Sequence, residues 1–264
     1  MKKPTFRWVF FIFIAKPMGM EKQEIYGIRA IQECIKAEKT IEKVWLLKGQ
    51  KGPLIQQLEM QLREQNIPHS YVPKERLERF NQRNHQGAVA SISPIAFVDL
   101  EAILADDPTI EQQGLFLLLD RITDTRNLGA IIRSAAATGV TAIIIPQTGS
   151  ARITADTIKT SAGGIFSVPL VRVDHLKDAL YLLQAHGIKT LGITEKADQT
   201  IYQHQLNGPL ALVMGSEEKG ISKGVLKLVE ATAKLPMHGK IASLNVSVAC
   251  GTVLYEVIRQ REHH

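Results

Sequence analysis

Asn127-Leu128-Gly129-Ala130-Ile131-Ile132-Arg133 places an amide and a guanidinium six residues apart, directly after an apolar run at 115–119 that ends in Asp120. The run reads as a strand, 121–126 as a polar loop, and the residues after it as a helix. Fewer than two helical turns separate Asn127 from Arg133, so both reach the mouth of one crevice. In open α/β sheets, ligands collect beyond the carboxyl ends of the strands. A guanidinium there is a permanent cation with forked donors, matched to phosphate. Taken singly, the pattern also suits a helix cap followed by a solvated arginine.

Two further stretches have the same character. In Leu212-Val213-Met214-Gly215-Ser216-Glu217-Glu218-Lys219-Gly220-Ile221 a strand enters a glycine-bounded acidic loop. Gly215 permits a tight turn or the close approach of a ligand to the backbone. An ordinary turn with exposed charges is the plain alternative. In Leu235-Pro236-Met237-His238-Gly239-Lys240-Ile241-Ala242-Ser243-Leu244-Asn245-Val246-Ser247 a strand meets a loop with Pro and Gly, and Ser-Leu-Asn opens a final helix, with Ser243 or Asn245 as its cap. The free N–H groups of that helix start welcome a polar ligand edge, though capping alone also accounts for the residues. Met237 by itself reads as packing.

Other signatures fail. No GxGxxG follows a strand, and the loop 215–222 imitates a phosphate-binding loop but has Ile221 where the essential lysine belongs. The eight histidines are scattered, the two cysteines stand apart without metal spacing, and no acidic pair suggests hydrolysis. The cysteines read as buried thiols in a reducing cytosol. A net charge of +6 favours a polyanionic partner such as nucleic acid. At 45% hydrophobic, the chain has the composition of an ordinary globular protein.

The elements that must position these residues fall into two halves. Residues 1–20 stand apart. Lys2, Lys3 and Arg7 precede an apolar run from Trp8 to Ala15 that is short for a bilayer span and lacks a small-residue cleavage site. They read as an extension upstream of a start at Met18 or Met20, or as a disordered tail. Residues 21–95 alternate helices and strands. Ile25, Ile28, Ile31 and Ile35 lie at helical spacing, strands are expected at 44–47, 68–72 and 87–92, and helices at 54–65 and from Pro73 to Phe80. A short helix at 99–104 and a linker complete the connecting stretch, 96–113. From 114 to 264, apolar runs at 115–119, 142–145, 168–171, 189–193 and 210–214 imply a parallel sheet covered on both faces. Helices are expected at 128–138, 176–185, 222–228 and 245–261.

In this order and spacing the three motifs resemble those of SpoU-type (TrmH-like) RNA ribose 2′-O-methyltransferases of the SPOUT superfamily, over residues 21–261. The family patterns correspond here to Asn127, Gly129 and Arg133; to Gly215, Ser216, Glu217, Gly220 and Ile221; and to Pro236, Met237, Gly239, Ser243, Leu244, Asn245, Val246 and Ser247. The first half, through Ile25-Tyr26-Gly27-Ile28-Arg29-Ala30 and His85-Gln86-Gly87-Ala88-Val89, is similar to the small L30e-like substrate-binding domain of the members that modify 23S ribosomal RNA.

The resemblance implies an α/β fold whose C-terminal domain has a parallel sheet and a trefoil knot. It implies S-adenosylmethionine as cofactor, with Gly215, Leu235, Leu244, Ile221 and Thr194 as its contacts. The catalytic set it implies is Arg133, Asn127, Glu217, Ser243 and Asn245. Arg133 grips phosphate and stabilises oxyanion charge, Glu217 orients Arg133 through a bidentate pair, and Ser243 and Asn245 hold substrate. It further implies a cytoplasmic homodimer, without membrane or metal, in which each site borrows from its partner. Val248, Val253, Leu254 and Val257 are the expected interface. The expected target is a guanosine of 23S rRNA, with Lys36, Lys39, Lys74, Arg76, Arg79 and Arg83 as candidate phosphate contacts. The alternatives are a transfer-RNA methyltransferase, a ribosome-assembly factor that has lost catalysis, and a metabolic nucleotide enzyme. The missing glycine fingerprint and the basic balance disfavour the last.

Overall fold

The computed structural model describes residues 24–37, 39–78, 85–93, 95–239 and 243–263. The expectations for residues 1–20, Phe80, Arg79, Arg83 and the third-motif residues 240–242 lie outside these.

The first half is built on a four-stranded sheet in the order β1-β4-β2-β3. These strands are β1 (Glu24–Tyr26), β2 (Ile41–Leu47), β3 (His69–Val72) and β4 (Ala88–Ile92). The β2–β3 pair is parallel, and β4 runs antiparallel to β1 and β2. Helices α1 (Ile28–Lys36) and α2 (Pro53–Glu64) cover one face, packing Ile31, Ile35, Leu58 and Leu62 on Val44, Leu46 and Ala90. Ile25 belongs to β1 rather than to the expected helix, because Gly27 turns the chain at φ 96° and the helix starts after it. The opposite face carries Trp45, Leu47 and Val89 under Leu77 of the one-turn helix α3 (Lys74–Leu77).

The second half forms a six-stranded sheet in the order β10-β8-β9-β5-β6-β7. Its strands are β5 (Leu115–Asp120), β6 (Ala142–Pro146), β7 (Leu170–Val173), β8 (Lys189–Ile193), β9 (Leu210–Gly215) and β10 (Ala231–Ala233). All their pairings are parallel. Alternate residues serve opposite cores. Leu115, Leu117 and Leu119 point to α6 (Thr125–Ala137) and α10 (Val246–Glu262), while Phe116 and Leu118 point to α8 (Leu176–Ala185) and α9 (Lys223–Leu226). The short helix expected at 99–104 is α4 (Leu100–Asp106); the part expected to be a linker carries α5 (Ile110–Gln113), and the stretch buries Leu100, Leu104 and Ile110 in this second core. A short helix α7 (Ala155–Thr160) packs on α6. Gly129 makes that approach possible: a Cβ there would stand 2.7 Å from Thr160 Cβ and 2.8 Å from Thr157 O.

A polar seam joins the halves. Val98 pairs with Val171 beside β7. Arg172 Nη2 donates to Glu42 Oε1 at 2.9 Å, and its guanidinium lies 3.8 Å from the centre of the Phe97 ring. Asn66 Nδ2 donates to Asp174 Oδ2 at 3.1 Å, and Gln147 Nε2 donates to Asn66 O at 3.0 Å.

Candidate active site

From β5 the chain moves outward through β6 to β7; from β9, its neighbour, it moves the other way to β10. The carboxyl ends of β5 and β9 therefore flank the point where the strand order reverses, which is where open α/β sheets bind ligands. All three motifs arrive there.

Asp120, at the end of β5, accepts the Ser222 N–H at 2.6 Å, and Arg121 donates to Gly220 O at 3.0 Å. These two residues clamp the second-motif loop to the end of β5. Arg121 does so with a φ of 62°, unusual for a side-chain-bearing residue. A Cβ at Gly215 would run into the backbone of Gly220 and Ile221, so this glycine serves the loop's own closure. Helix α6 starts earlier than expected, and its cap is Asp124, which accepts from the N–H groups of Arg126 at 2.9 Å and Asn127 at 2.7 Å. Asn127 is thereby left in the first turn with its side chain available.

One carboxylate oxygen then gathers the three motifs. Glu217 Oε1 accepts from Asn127 Nδ2 at 3.0 Å, Asn245 Nδ2 at 2.7 Å and Val246 N at 3.1 Å. Asn245 Nδ2 also donates to Asn127 Oδ1 at 3.0 Å. Asn245 Oδ1 meanwhile caps α10, accepting from Ser247 N at 3.0 Å and Val248 N at 3.4 Å. Residues 127, 217 and 245 thus form one network of amides around an anion.

A narrow cleft opens beside this network. It is lined by Thr194, Gly215, Leu235 and Leu244, four of the five expected cofactor contacts, together with Ile193, Met214, Met237 and Ser243. Ile221 is the exception: its side chain is buried in the core under α8 and α9, so only its backbone faces the loop. Ser243 lines the cleft without joining the amide network.

Arg133 is exposed on α6, and no ion pair or hydrogen bond engages it among the described residues. The expected Glu217–Arg133 pair is not formed; amide donors and a backbone N–H occupy the carboxylate oxygen instead. The expected interface residues also need correction. Val253, Leu254 and Val257 are fully buried in the core of their own chain, and of the four only Val248 is exposed. Of the candidate phosphate contacts, Lys36 pairs with Glu33 at 2.9 Å, Lys74 lies 3.9 Å from Glu78, and Lys39 lines a cavity between the two halves. Arg76 has no such partner among the described residues.

The two thiols have no part in this site. Burial pushes Cys250 up to about 12, and Cys34 is also raised, first by burial.

Comparison with known proteins gives a consistent result. Residues 114–255 match the SpoU rRNA methylase family, and residues 25–98 match the RNA 2′-O ribose methyltransferase substrate-binding family. The chain is 36% identical over 244 residues to the 23S rRNA (guanosine-2′-O-)-methyltransferase RlmB of Pseudomonas putida, covering 91% of this chain and 97% of the relative. It is 37% identical over 239 residues to the protein of that name from Escherichia coli strain K12, covering 90% and 98%. The SpoU methyltransferase AviRb of Streptomyces viridochromogenes, solved with AdoMet, superposes with a TM-score of 0.59 at 26% identity, covering 91% of each chain.

Proposed function

The chain belongs to the SpoU rRNA methylase family, and from that premise we propose that it methylates the ribose 2′-hydroxyl of a guanosine in 23S rRNA, using S-adenosylmethionine. The observation that carries this reading is the meeting of Asn127, Glu217 and Asn245 at one carboxylate oxygen beside an apolar cleft.

The cleft suits such a cofactor in kind. Leu235, Leu244, Met214 and Ile193 offer apolar walls for an adenine, and Thr194 and the 215–217 backbone offer polar groups for a ribose and an amino acid moiety. The space enclosed is about 100 Å³, below the roughly 300–1,000 Å³ of sites for drug-sized ligands. When bound, S-adenosylmethionine supplies a methyl group already activated on a sulfonium.

The protein then has two tasks: aligning the 2′-hydroxyl and easing loss of its proton. Arg133 grips the neighbouring phosphate and stabilises oxyanion charge. A guanidinium does not deprotonate in a protein, so the proton passes to a phosphate oxygen or to water. Asn127, fixed by Glu217 and by Asn245, holds the ribose edge, Asn245 shapes the third-motif loop, and Ser243 faces substrate across the cleft.

The working form in this reading is a homodimer in which each site borrows from its partner. Arg133, exposed and without a side-chain partner among the described residues, is the residue free to be lent. Val248 and Tyr255, 54% and 59% exposed on the outer face of α10, supply an apolar surface for the contact. The trefoil knot belongs to the same reading, supported by Glu217 clasping both Asn245 and Val246. No described helix is long and apolar enough to cross a membrane; a cytoplasmic location belongs to the same reading and is in keeping with an rRNA substrate.

Incubating the protein with methyl-labelled S-adenosylmethionine and unmodified 23S rRNA tests the proposal. Label in the RNA with wild type and none with Arg133→Ala is the expected result. Binding of the RNA without any methyl transfer would make the chain an assembly factor instead.

A further inference from the structure

We propose that Lys43, Arg76 and Arg152, gathered about Trp45, form an RNA-phosphate site that spans both domains and delivers the strand to the Asn127–Arg133 edge. This site deepens the methyltransferase reading and rests on RNA being the substrate.

The face of the front sheet opposite α1 and α2 presents Lys43 and Trp45, two residues apart on β2. Arg76 comes from α3, whose Leu77 packs in the same small cluster as Trp45. Arg152 comes from the other domain, where its guanidinium lies 5.1 Å from the centre of the Trp45 ring. The ring fixes the planar cation without neutralising it.

Among the described residues, no carboxylate pairs with any of the three cations. Glu24, the acid in the same row of the sheet, lies two strands from Lys43 and takes the Tyr26 hydroxyl. The Lys43 ammonium is pushed down, first by burial and then by the positive charges of Arg152 and Arg76. Three like charges held together at some cost, with no acid among them, make a phosphate-binding surface rather than a fastening. The contrast is Arg172, also between the domains, whose charge Glu42 answers at 2.9 Å.

The placement connects this patch to catalysis. All strands of the rear sheet are parallel, so the segment after β6 that bears Arg152 lies at the same edge as the active site. Its Ala151 N–H donates to Ile122 O at 2.7 Å, in the loop that leads to the Asp124 cap and Asn127. A backbone gripped at Lys43 and Arg152 is thereby led toward Asn127 along rigid elements.

The test uses the full chain and an unmodified 23S rRNA transcript, with affinity measured across a salt series. Wild type must first bind the transcript and methylate it; a wild type inert toward RNA refutes the functional reading and this site with it. Given an active wild type, Arg152→Ala and Lys43→Ala should each weaken RNA binding about tenfold and reduce the salt slope by about one. The loss should fall on KM for RNA, with S-adenosylmethionine affinity retained. Arg152→Lys, which keeps the charge, should recover most of the slope. Lys43, on the outer face of the sheet, keeps the test decisive if Arg152→Ala does not fold. RNA affinity and salt slope equal to wild type in both alanine variants would overturn the site while leaving the methyltransferase reading intact. A lowered melting point with an unchanged salt slope would also overturn it, making Arg152 a domain fastener.

Discussion

Two polar junctions hold distant parts of this chain together, and they are built to opposite plans. At the seam between the domains, Arg172 and Glu42 are almost wholly buried, closed on each other and stacked on Phe97. At the active-site edge, Glu217 binds two amides and a backbone N–H in the open, and on α6 Arg133 stands exposed with no side-chain partner among the described residues. The same residue types make a fastener where charge is paired and desolvated, and a tool where the cation is left to meet a ligand. A buried pair is costly to break because each member strands the other. An unpaired exposed arginine costs little to keep and little to remove, except in the reaction proposed for it.

The contrast between the junctions breaks first at Arg133. Arg133→Ala should lower methyl transfer by about 10³-fold or more while S-adenosylmethionine affinity, read by calorimetry, and the melting point stay near wild type. Arg133→Lys should remain strongly impaired, because an ammonium lacks the planar fork. Near-normal rates in the lysine variant would mean that the fork does not hold the phosphate or the oxyanion.

The seam should behave in reverse. Glu42→Ala leaves the Arg172 guanidinium buried and unanswered, and should cost about 3 kcal/mol in denaturant unfolding. Replacing both by apolar residues, Glu42→Leu with Arg172→Met, should return most of that loss. A double variant as unstable as the single would mean that the pair itself, not the stranded charge, carries the stability.

Asn245→Ala sharpens the contrast, because this residue caps α10 and, in the proposed function, also belongs to the site. Loss of the cap should cost about 1 kcal/mol of stability, with a loss of methyl transfer well beyond what that destabilisation explains.

The smallest effect is expected at Glu256 on α10. Bonds from Arg259 at 2.8 Å hold its carboxyl below the usual carboxylate value, against the opposing effect of burial and with further help from Gln260. A folded pKa below the unfolded one adds stability that is fully present above the unfolded value, and it fades as pH falls through the folded one. Arg259 is largely exposed, so solvent screening keeps the contribution small. Glu256→Gln should flatten the loss of stability below about pH 4.5 in unfolding curves taken across acid pH.

Much of this arrangement was legible in the residues. Unbroken apolar runs such as 115–119 and 210–214 announce strands buried on both faces, and each is one. Strand β10, Ala231–Ala233, is the strand expected to meet the third-motif loop, but its bounds were not legible because three small residues make no apolar run. Helix α7 escaped because it is short and polar, held by the Thr154–Thr157 capping box rather than by a hydrophobic face. The family resemblance pointed to Asn127, Glu217 and Asn245, but not to their mutual bonds. Charge pairing suggests Glu217 with Arg133, whereas the fold brings amides to that carboxylate. Arg121 is beyond sequence reading altogether, since its role depends on a left-handed backbone that only the folded loop imposes.

At the centre stands the transfer of a methyl group to a ribose oxygen of RNA. Alkaline hydrolysis of 23S rRNA treated with the enzyme and cofactor tests it most directly, because hydrolysis needs a free 2′-hydroxyl. One new alkali-resistant linkage, at a guanosine and absent with Arg133→Ala, is the expected result. Methyl label found on a base, with every linkage still cleaved, would contradict it.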